Sequence, residues 1–470
     1  MTSARPMPQQ LALDFRDEAD PVTAALELQQ EQSASAAMGK SALDSVSMDL
    51  MEKIVDNGNM ERAWKKVKAN RGAPGPDGVT LDEFFETFRH QWPEVRRQLL
   101  EGTYQPGPAR RKSIPKPDGG ARLLGIPNVI DRVLQQATLI VLTPLFDPDF
   151  SESSYGFRPQ RSASGAIKQI QSTIRQGYRH CVDMDLSKFF DRVQHDVLLS
   201  QVSRRVHDKR LLKLIGRYLR AGVMVEGLLQ PSAEGTMQGG PLSPFLANIM
   251  LDDFDKELER RGHPFVRYAD DFLVFTKTEA AAKRVFASVE RYLTRKLKLV
   301  VNRQKSRVCR TAGVEFLGFE LHGYAAQIRV SEKNLKKFKE RSREILNRNR
   351  GISMTQRLKE LRQYLRGWMG YFAIEQRKSL SRELDKWLRR RLRACYWKQW
   401  RKPSARVRKL RQLGIRAEES YSHGNSRKGP WRMSGTLAVQ MALTTQWLTD
   451  HGLVSLEDLW KKFAPRRRIA

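Results

Sequence analysis

Apolar residues change their spacing several times along the chain, and each change marks an element. Ile54, Met60, Ala63, Trp64 and Val67 recur at helical spacing until Asn70-Arg71-Gly72-Ala73-Pro74-Gly75-Pro76-Asp77-Gly78 interrupts with residues that suit neither helix nor strand. A second helix is predicted after that loop, capped at Thr80 or Asp82. Residues 111–127 predict a hairpin, Ser113–Pro117 and Ala121–Pro127 around Asp118-Gly119-Gly120. Residues 129–147 and 192–222 have helical patterns, and between them His180–Leu186 alternates as a buried strand does. A Gly/Pro-punctuated loop, Glu234–Pro244, leads into a helix from about Phe245 to Arg260. The runs Phe265-Val266 and Phe272–Phe275 flank Tyr268-Ala269-Asp270-Asp271, which predicts two strands joined by a turn. An amphipathic helix over Glu279–Leu297, strands near Leu299–Val301 and Val314–Leu321, and a mainly helical pattern from Ser331 follow. Strand, helix, strand-turn-strand, helix, strand is the α+β order of a split βαβ unit.

Composition adds size and charge. A chain of 470 residues with 40% apolar content, nine Trp and twenty Phe is long enough for two to four domains with substantial cores. Its formal charge of +32 calls for a polyanionic partner, nucleic acid ahead of membrane surfaces or acidic proteins. The charge is uneven: residues 1–50 carry three Lys and Arg against eight Asp and Glu, and residues 331–470 carry 36 against 12. Residues 1–48, rich in Gln, Ser and Ala, predict a flexible or weakly helical extension. In the basic part, Trp387-Leu388-Arg389-Arg390-Arg391 and Tyr396-Trp397-Lys398-Gln399-Trp400-Arg401-Lys402 interleave cations with aromatics, as a phosphate-tracking face with stacking side chains would. Cys181, Cys309 and Cys395 form no CxxC pair, which argues against structural zinc and a disulfide framework. No run approaches the ~18 apolar residues of a membrane span, no secretory signal opens the chain, and a cytoplasmic protein without a membrane partner is expected.

Chemistry enters with the acidic groups. Asp270 and Asp271 sit at the tip of the predicted hairpin, with Asp183-Met184-Asp185 as a distant acidic partner. Mg2+ prefers oxygen ligands and is ordinarily held by one or two carboxylates with substrate phosphates completing its shell, so this set suits phosphoryl transfer by a nucleic-acid polymerase. Asp183 and Asp185 share a strand face, and periodicity does not choose between them. If the turn at Asp118-Gly119-Gly120 is three residues long, Lys116 and Arg122 face each other, an arrangement that favours an anion between them and suits a triphosphate clamp.

The ordered motifs together resemble those of bacterial group II intron-encoded reverse transcriptases with maturase activity, over about residues 55–465. Residues 70–80 resemble the family's N-terminal insertion motif, Ile114–Pro127 its fingers hairpin, and Ser154-Tyr155-Gly156-Phe157-Arg158-Pro159 the next fingers block. Asp185–Asp191 resembles the first palm motif, Gln238-Gly239-Gly240-Pro241-Leu242-Ser243-Pro244 the nucleotide-pocket loop, and Tyr268–Asp271 the central palm motif. Asn302-Arg303-Gln304-Lys305-Ser306 and Phe316-Leu317-Gly318-Phe319 match the two closing blocks. Leu358–Phe372 resembles the thumb or maturase region, its apolar residues expected in the core, and Asn425–Arg432 resembles a block of the C-terminal DNA-binding region.

That resemblance implies a right-hand polymerase with fingers, a split βαβ, ferredoxin-like palm, and a helical thumb/maturase region. The domains expected are a flexible acidic extension over 1–50, fingers and palm over 51–325, thumb/maturase over 326–410, and a basic nucleic-acid-binding region over 411–470. It implies two Mg2+ ions on Asp185, Asp270 and Asp271, preferring Asp185 to Asp183. Phe190 falls where a steric gate against a ribose 2′-hydroxyl would lie, Lys116, Arg122 and Lys305 match triphosphate contacts, and Gln238 lines the nucleotide pocket. The implied partners are group II intron RNA or another RNA template, a DNA target or primer, and dNTPs. Many relatives end in a Cys- and His-bearing endonuclease domain; no such cluster precedes Ala470, so second-strand cleavage is not expected. A free-standing relative serving host defence or DNA repair without a splicing role is the alternative.

Overall fold

The computed structural model describes residues 49–115, 121–225, 228–230, 235 and 239–464. The chain divides into two compact units: residues up to Ala166 with Tyr178–Cys309, and Ile167–Gly177 with residues from Arg310 onward. The expected N-terminal extension lies almost wholly outside the described residues.

In the first unit, helices Leu50–Ile54, Asn57–Ala69 and Phe84–Glu101 pack on the long helix Val129–Phe146. The Asp56 carboxylate accepts the Asn59 amide at the start of the Asn57 helix. Thr80 and Glu83 each accept the other's backbone N–H just ahead of the Phe84 helix, a reciprocal cap. By length and mean hydropathy the segment Val129–Asp149 is long and apolar enough to cross a bilayer, although, as expected, it holds no uninterrupted apolar run of that length. Its apolar residues alternate with Gln and Thr, so they make no continuous run, and Val129, Val133, Leu134, Ala137, Leu142 and Phe146 are buried in the unit's core.

Eight strands form two sheets: β1 (Ala109–Pro115), β2 (Ala121–Ile126), β3 (His180–Met184), β4 (Val223–Val225), β5 (Leu228–Gln230), β6 (Phe265–Tyr268), β7 (Asp271–Thr276) and β8 (Arg307–Arg310). The first sheet runs β2-β1-β4-β5. Its register corrects the expected clamp geometry. β1 and β2 pair from Arg110↔Ile126 to Pro115↔Ala121, so residues 116–120 separate the paired ends and Arg122 lies opposite Ile114, not Lys116. The region 192–222 likewise divides into helices His195–Ser203 and Lys209–Arg220, because the Asp208 carboxylate accepts the Arg210 and Leu211 amides and restarts the helix.

The second sheet runs β6-β7-β3-β8, with β3 and β6 each antiparallel to β7. Helix Glu279–Arg295, capped by Thr278, packs across β3 and β7. Helix Ser243–Arg260 meets the same sheet through Phe254, whose ring stands edge-on to Phe272 at 5.0 Å. This is the split βαβ order expected of the palm. The strand expected at Leu299–Val301 is reduced to a single bridge, Leu186↔Val301.

The second unit opens with a sheet ordered β11-β10-β9, from β9 (Glu315–Phe316), β10 (Phe319–His322) and β11 (Gln327–Val330). The one strand expected over Val314–Leu321 folds back at Leu317-Gly318, both at positive φ, so that Phe316 pairs with Phe319. Helices Glu332–Ile345, Met354–Phe372 and Lys378–Gln399 follow, then shorter ones to Phe463. Of the apolar stripe expected in the core, Leu361, Leu365 and Phe372 are buried, Tyr364 and Trp368 are half-buried, and Tyr371 is exposed.

Candidate catalytic site

Tyr268 pairs with Asp271, leaving Ala269 and Asp270 as a two-residue loop between β6 and β7. Such loops turn with the strand twist when φ is positive at the first central residue, a place usually filled by Gly, Asn or Asp. Ala269 takes it, at φ 57°. Asp270 is therefore at the apex and Asp271 begins β7.

The β3–β7 register ends at Met184↔Phe272. One step further, Asp185 directly follows β3 beside Asp271, on neighbouring strands about 5 Å apart. Residues opposite each other in an antiparallel pair share a face and side chains repeat every two residues, so Asp183, opposite Leu273, and Asp271 project from the same side. Asp183 is engaged there: Arg307 Nε donates to its Oδ2 at 3.2 Å. Burial pushes the Asp183 carboxyl up, and Arg307 opposes that shift. Asp185 accepts from Asn302 Nδ2 at 3.0 Å through Oδ2, its amide donates to Ser306 Oγ at 3.0 Å, and its carbonyl accepts the Asn302 amide at 2.8 Å. Lys305, exposed, sits in that same Asn302–Ser306 turn.

No three Asp, Glu, His or Cys side chains among the described residues gather as a ready-made metal cage. For Mg2+ that is no mismatch, since one or two carboxylates and substrate phosphates ordinarily complete its shell. The donor set here, carboxylate oxygens at the solvent-facing ends of two strands, has the right chemistry for a hard divalent ion.

Phe190 is half-buried in a short turn, edge-on to Phe189 at 5.2 Å. Gly235, in the Gly/Pro-punctuated loop Glu234–Pro244, approaches its backbone so closely that a Cβ there would lie 2.7 Å from the Phe190 carbonyl oxygen. Gly235 donates to the Val193 carbonyl, and its own carbonyl lies 2.7 Å from His195 Nε2. Gly239, at φ 126°, approaches β2 so closely that a Cβ there would lie 2.3 Å from the Gly125 carbonyl oxygen. That glycine is required by backbone-on-backbone contact. Lys116, Gln238 and the side chain of Arg122 lie outside the described residues.

Behind the aspartate turn is a buried polar network that the sequence reading missed. Arg267 is fully buried, its Nε and Nη2 donate to both oxygens of Asp255, and its Nη1 donates to Asn248 Oδ1 and the Ala269 carbonyl, each at 2.9 Å. Asn248 Nδ2 donates in turn to the Gly156 carbonyl at 2.8 Å. A Cβ on Gly156 would lie 2.4 Å from the Ala269 nitrogen. The available signal was the stripe Asn248, Leu251, Asp255, Leu258, a buried helix face with two polar members in need of partners.

The expected stacking face is corrected at 396–402, whereas Trp387 is half-buried with the Arg391 guanidinium 5.2 Å from its ring centre. Tyr396, Trp397 and Trp400 are buried, and Trp397 is wholly so, which makes them core and not a stacking platform. Their neighbours Leu384, Leu388 and Leu392 continue the same helical stripe. Trp431 is 40% exposed, with the Arg390 guanidinium 4.2 Å from its ring centre.

Residues 114–321 match the family model described as reverse transcriptase (RNA-dependent DNA polymerase), and residues 335–414 match the group II intron, maturase-specific domain. Protein YkfC of Escherichia coli (strain K12) is 34% identical over 294 residues, covering 54% of this chain and 77% of that protein. Group II intron-encoded protein LtrA of Lactococcus lactis subsp. cremoris is 36% identical over 196 residues, 41% of this chain, which spans about a third of LtrA's length (32%). A solved partial Cas6-RT-Cas1–Cas2 complex is 28% identical, covering 54% of this chain and 44% of that one, at a TM-score of 0.34. Reverse transcriptases copy RNA templates and use divalent metal ions. This chain belongs to that family of RNA-dependent DNA polymerases, in the branch that carries the group II intron maturase-specific domain.

Proposed function

We propose that the protein synthesises cDNA on RNA by two-Mg2+ phosphoryl transfer, with Asp185, Asp270 and Asp271 holding the ions. The observation that carries this reading is the juxtaposition of Asp185, just past Met184↔Phe272, with the Tyr268↔Asp271 turn. Asp183 is taken up by Arg307, which supports Asp185 as the ligand from its strand. Bound there, Mg2+ supplies acidification of the primer 3′-hydroxyl and neutralisation of triphosphate charge. The chain's own work is positioning. Asn302 orients the Asp185 carboxylate, and Lys305, in the same turn, is suited to a triphosphate oxygen, as are Lys116 and Arg122. Phe190 serves as the gate against a 2′-hydroxyl, and Gln238 lines the pocket.

The matched maturase-specific domain supports group II intron RNA as the cognate RNA, bound for splicing and copied at a DNA target; we propose the cytoplasm as the place of this work. Primed RNA, dNTPs and the purified protein test the chemistry: cDNA is expected with Mg2+ and none once the metal is chelated. Sequencing the RNA that copurifies tests the partner. Recovered group II intron RNA supports the splicing role, and cDNA synthesis without such RNA favours the free-standing alternative.

A further inference from the structure

We infer that Arg267 is a positioning residue, held by Asp255 and Asn248, that clamps Ala269 in its left-handed conformation and so fixes where Asp270 and Asp271 project. The inference rests on the polymerase reading above. Ala269 occupies a backbone region that residues with a Cβ leave when nothing holds them, yet two carboxylates depend on its geometry. Two contacts hold it, and a third residue links them. Arg267 Nη1 grips its carbonyl at 2.9 Å, Gly156 presses against its amide, and Asn248 bridges the two by accepting from Arg267 and donating to Gly156. Asp255 fixes the guanidinium through both oxygens, and Arg267, Asn248 and Asp255 are all fully buried. The Arg267 backbone is also fixed. Its amide donates to the Ser153 carbonyl and its carbonyl accepts from Tyr155, each at 2.9 Å, which ties the strand to the loop that carries Gly156.

An ion pair needed only for folding has no reason to spend a guanidinium N–H on the one strained carbonyl beside the aspartates. Lys at this position keeps the charge but loses the planar fork that reaches Asp255, Asn248 and Ala269 together.

The test compares the full chain with Arg267→Lys, Ala269→Gly and the double variant, using hydrogen exchange at amides 268–271 and the Mg2+ concentration for half-maximal cDNA synthesis. Arg267→Lys is expected to speed exchange at those amides at least tenfold, raise the Mg2+ half-saturation severalfold and lower kcat at least tenfold, with RNA affinity unchanged. Glycine has no strain to relieve, so Ala269→Gly is expected to restore at least threefold of the lost kcat in the Arg267→Lys background. Should Arg267→Lys fail to fold, Asn248→Ala leaves the ion pair whole and is expected to move both readouts in the same direction. Wild-type exchange and Mg2+ dependence in a folded Arg267→Lys or Asn248→Ala protein, or no recovery from Ala269→Gly, overturns the clamp. Exchange judges the clamp even if the polymerase assignment itself fails.

Discussion

Ala269 shows how much a single backbone angle carries. A left-handed residue with a side chain costs about 1–2 kcal/mol, and here it stands directly before the two aspartates, at φ 57°. Gly156 is the smallest part of what holds it, and its replacement is the most selective perturbation. Gly156→Ala is expected to push the Ala269 nitrogen away and lower kcat for cDNA synthesis at least tenfold. Primer–template affinity should stay near wild type, as steady-state kinetics alongside filter binding would show; unchanged kcat would mean that the turn tolerates the shift. The aspartate hairpin was legible in the sequence, because apolar runs of strand length bracket a turn. Asp185 was chosen over Asp183 by family resemblance alone, since strand periodicity treats the two alike. Arg267 was not legible. One cation between Val266 and Tyr268 looks like the solvent side of an edge strand until Asp255, twelve positions away on a helix, is found beneath it.

Elements were legible where one period held for several turns, and were misread where a side chain intervened. Helices Val129–Phe146 and Glu279–Arg295 match their patterns closely. The Asp208 cap and the Leu317-Gly318 reversal depend on local hydrogen bonding and φ, which apolar spacing does not report. The Val129 helix also contains a titration of consequence. Asp131 is buried on it, accepting Tyr104 Oη at 2.9 Å and the Gly107 amide at 3.1 Å, and so ties the segment before β1 to the core. Burial pushes its carboxyl up to about 7, with those two hydrogen bonds pulling the other way. A raised folded pKa means that the native state holds the proton more tightly than the unfolded chain does. Its contribution is complete below about pH 4, the ordinary Asp value, and is lost as pH rises through 7. Thermal melts from pH 4 to 8 are therefore expected to show Asp131→Asn gaining on wild type as pH rises. The gap should reach at most about 4 kcal/mol; a constant difference across that range would refute the assignment.

At the scale of the whole molecule, charge points to the partner and packing decides which groups meet it. The 36 cations of residues 331–470 face only 12 acidic side chains. Because Tyr396, Trp397 and Trp400 are core, the RNA contacts proposed for this region would fall to the arginines and lysines around them. RNA affinity is accordingly expected to drop at least ~100-fold between 50 and 200 mM salt, as for a protein making several phosphate contacts. Filter binding across that range checks it, and a flat response would mean that these cations serve only solubility. The split βαβ order was legible from the alternation of strands and helices, whereas the aromatic-cation run was misread because a buried helical stripe and a stacking face share a composition. The central claim is that carboxylates at the ends of β3 and β7 carry the chemistry while RNA binding lies elsewhere. Measuring cDNA synthesis and RNA affinity on one preparation of Asp270→Ala tests it most directly. Synthesis on a primed RNA is expected to fall to the metal-free background with affinity for that RNA within about twofold of wild type, as phosphate contacts that do not involve this turn require. Undiminished synthesis would contradict the account.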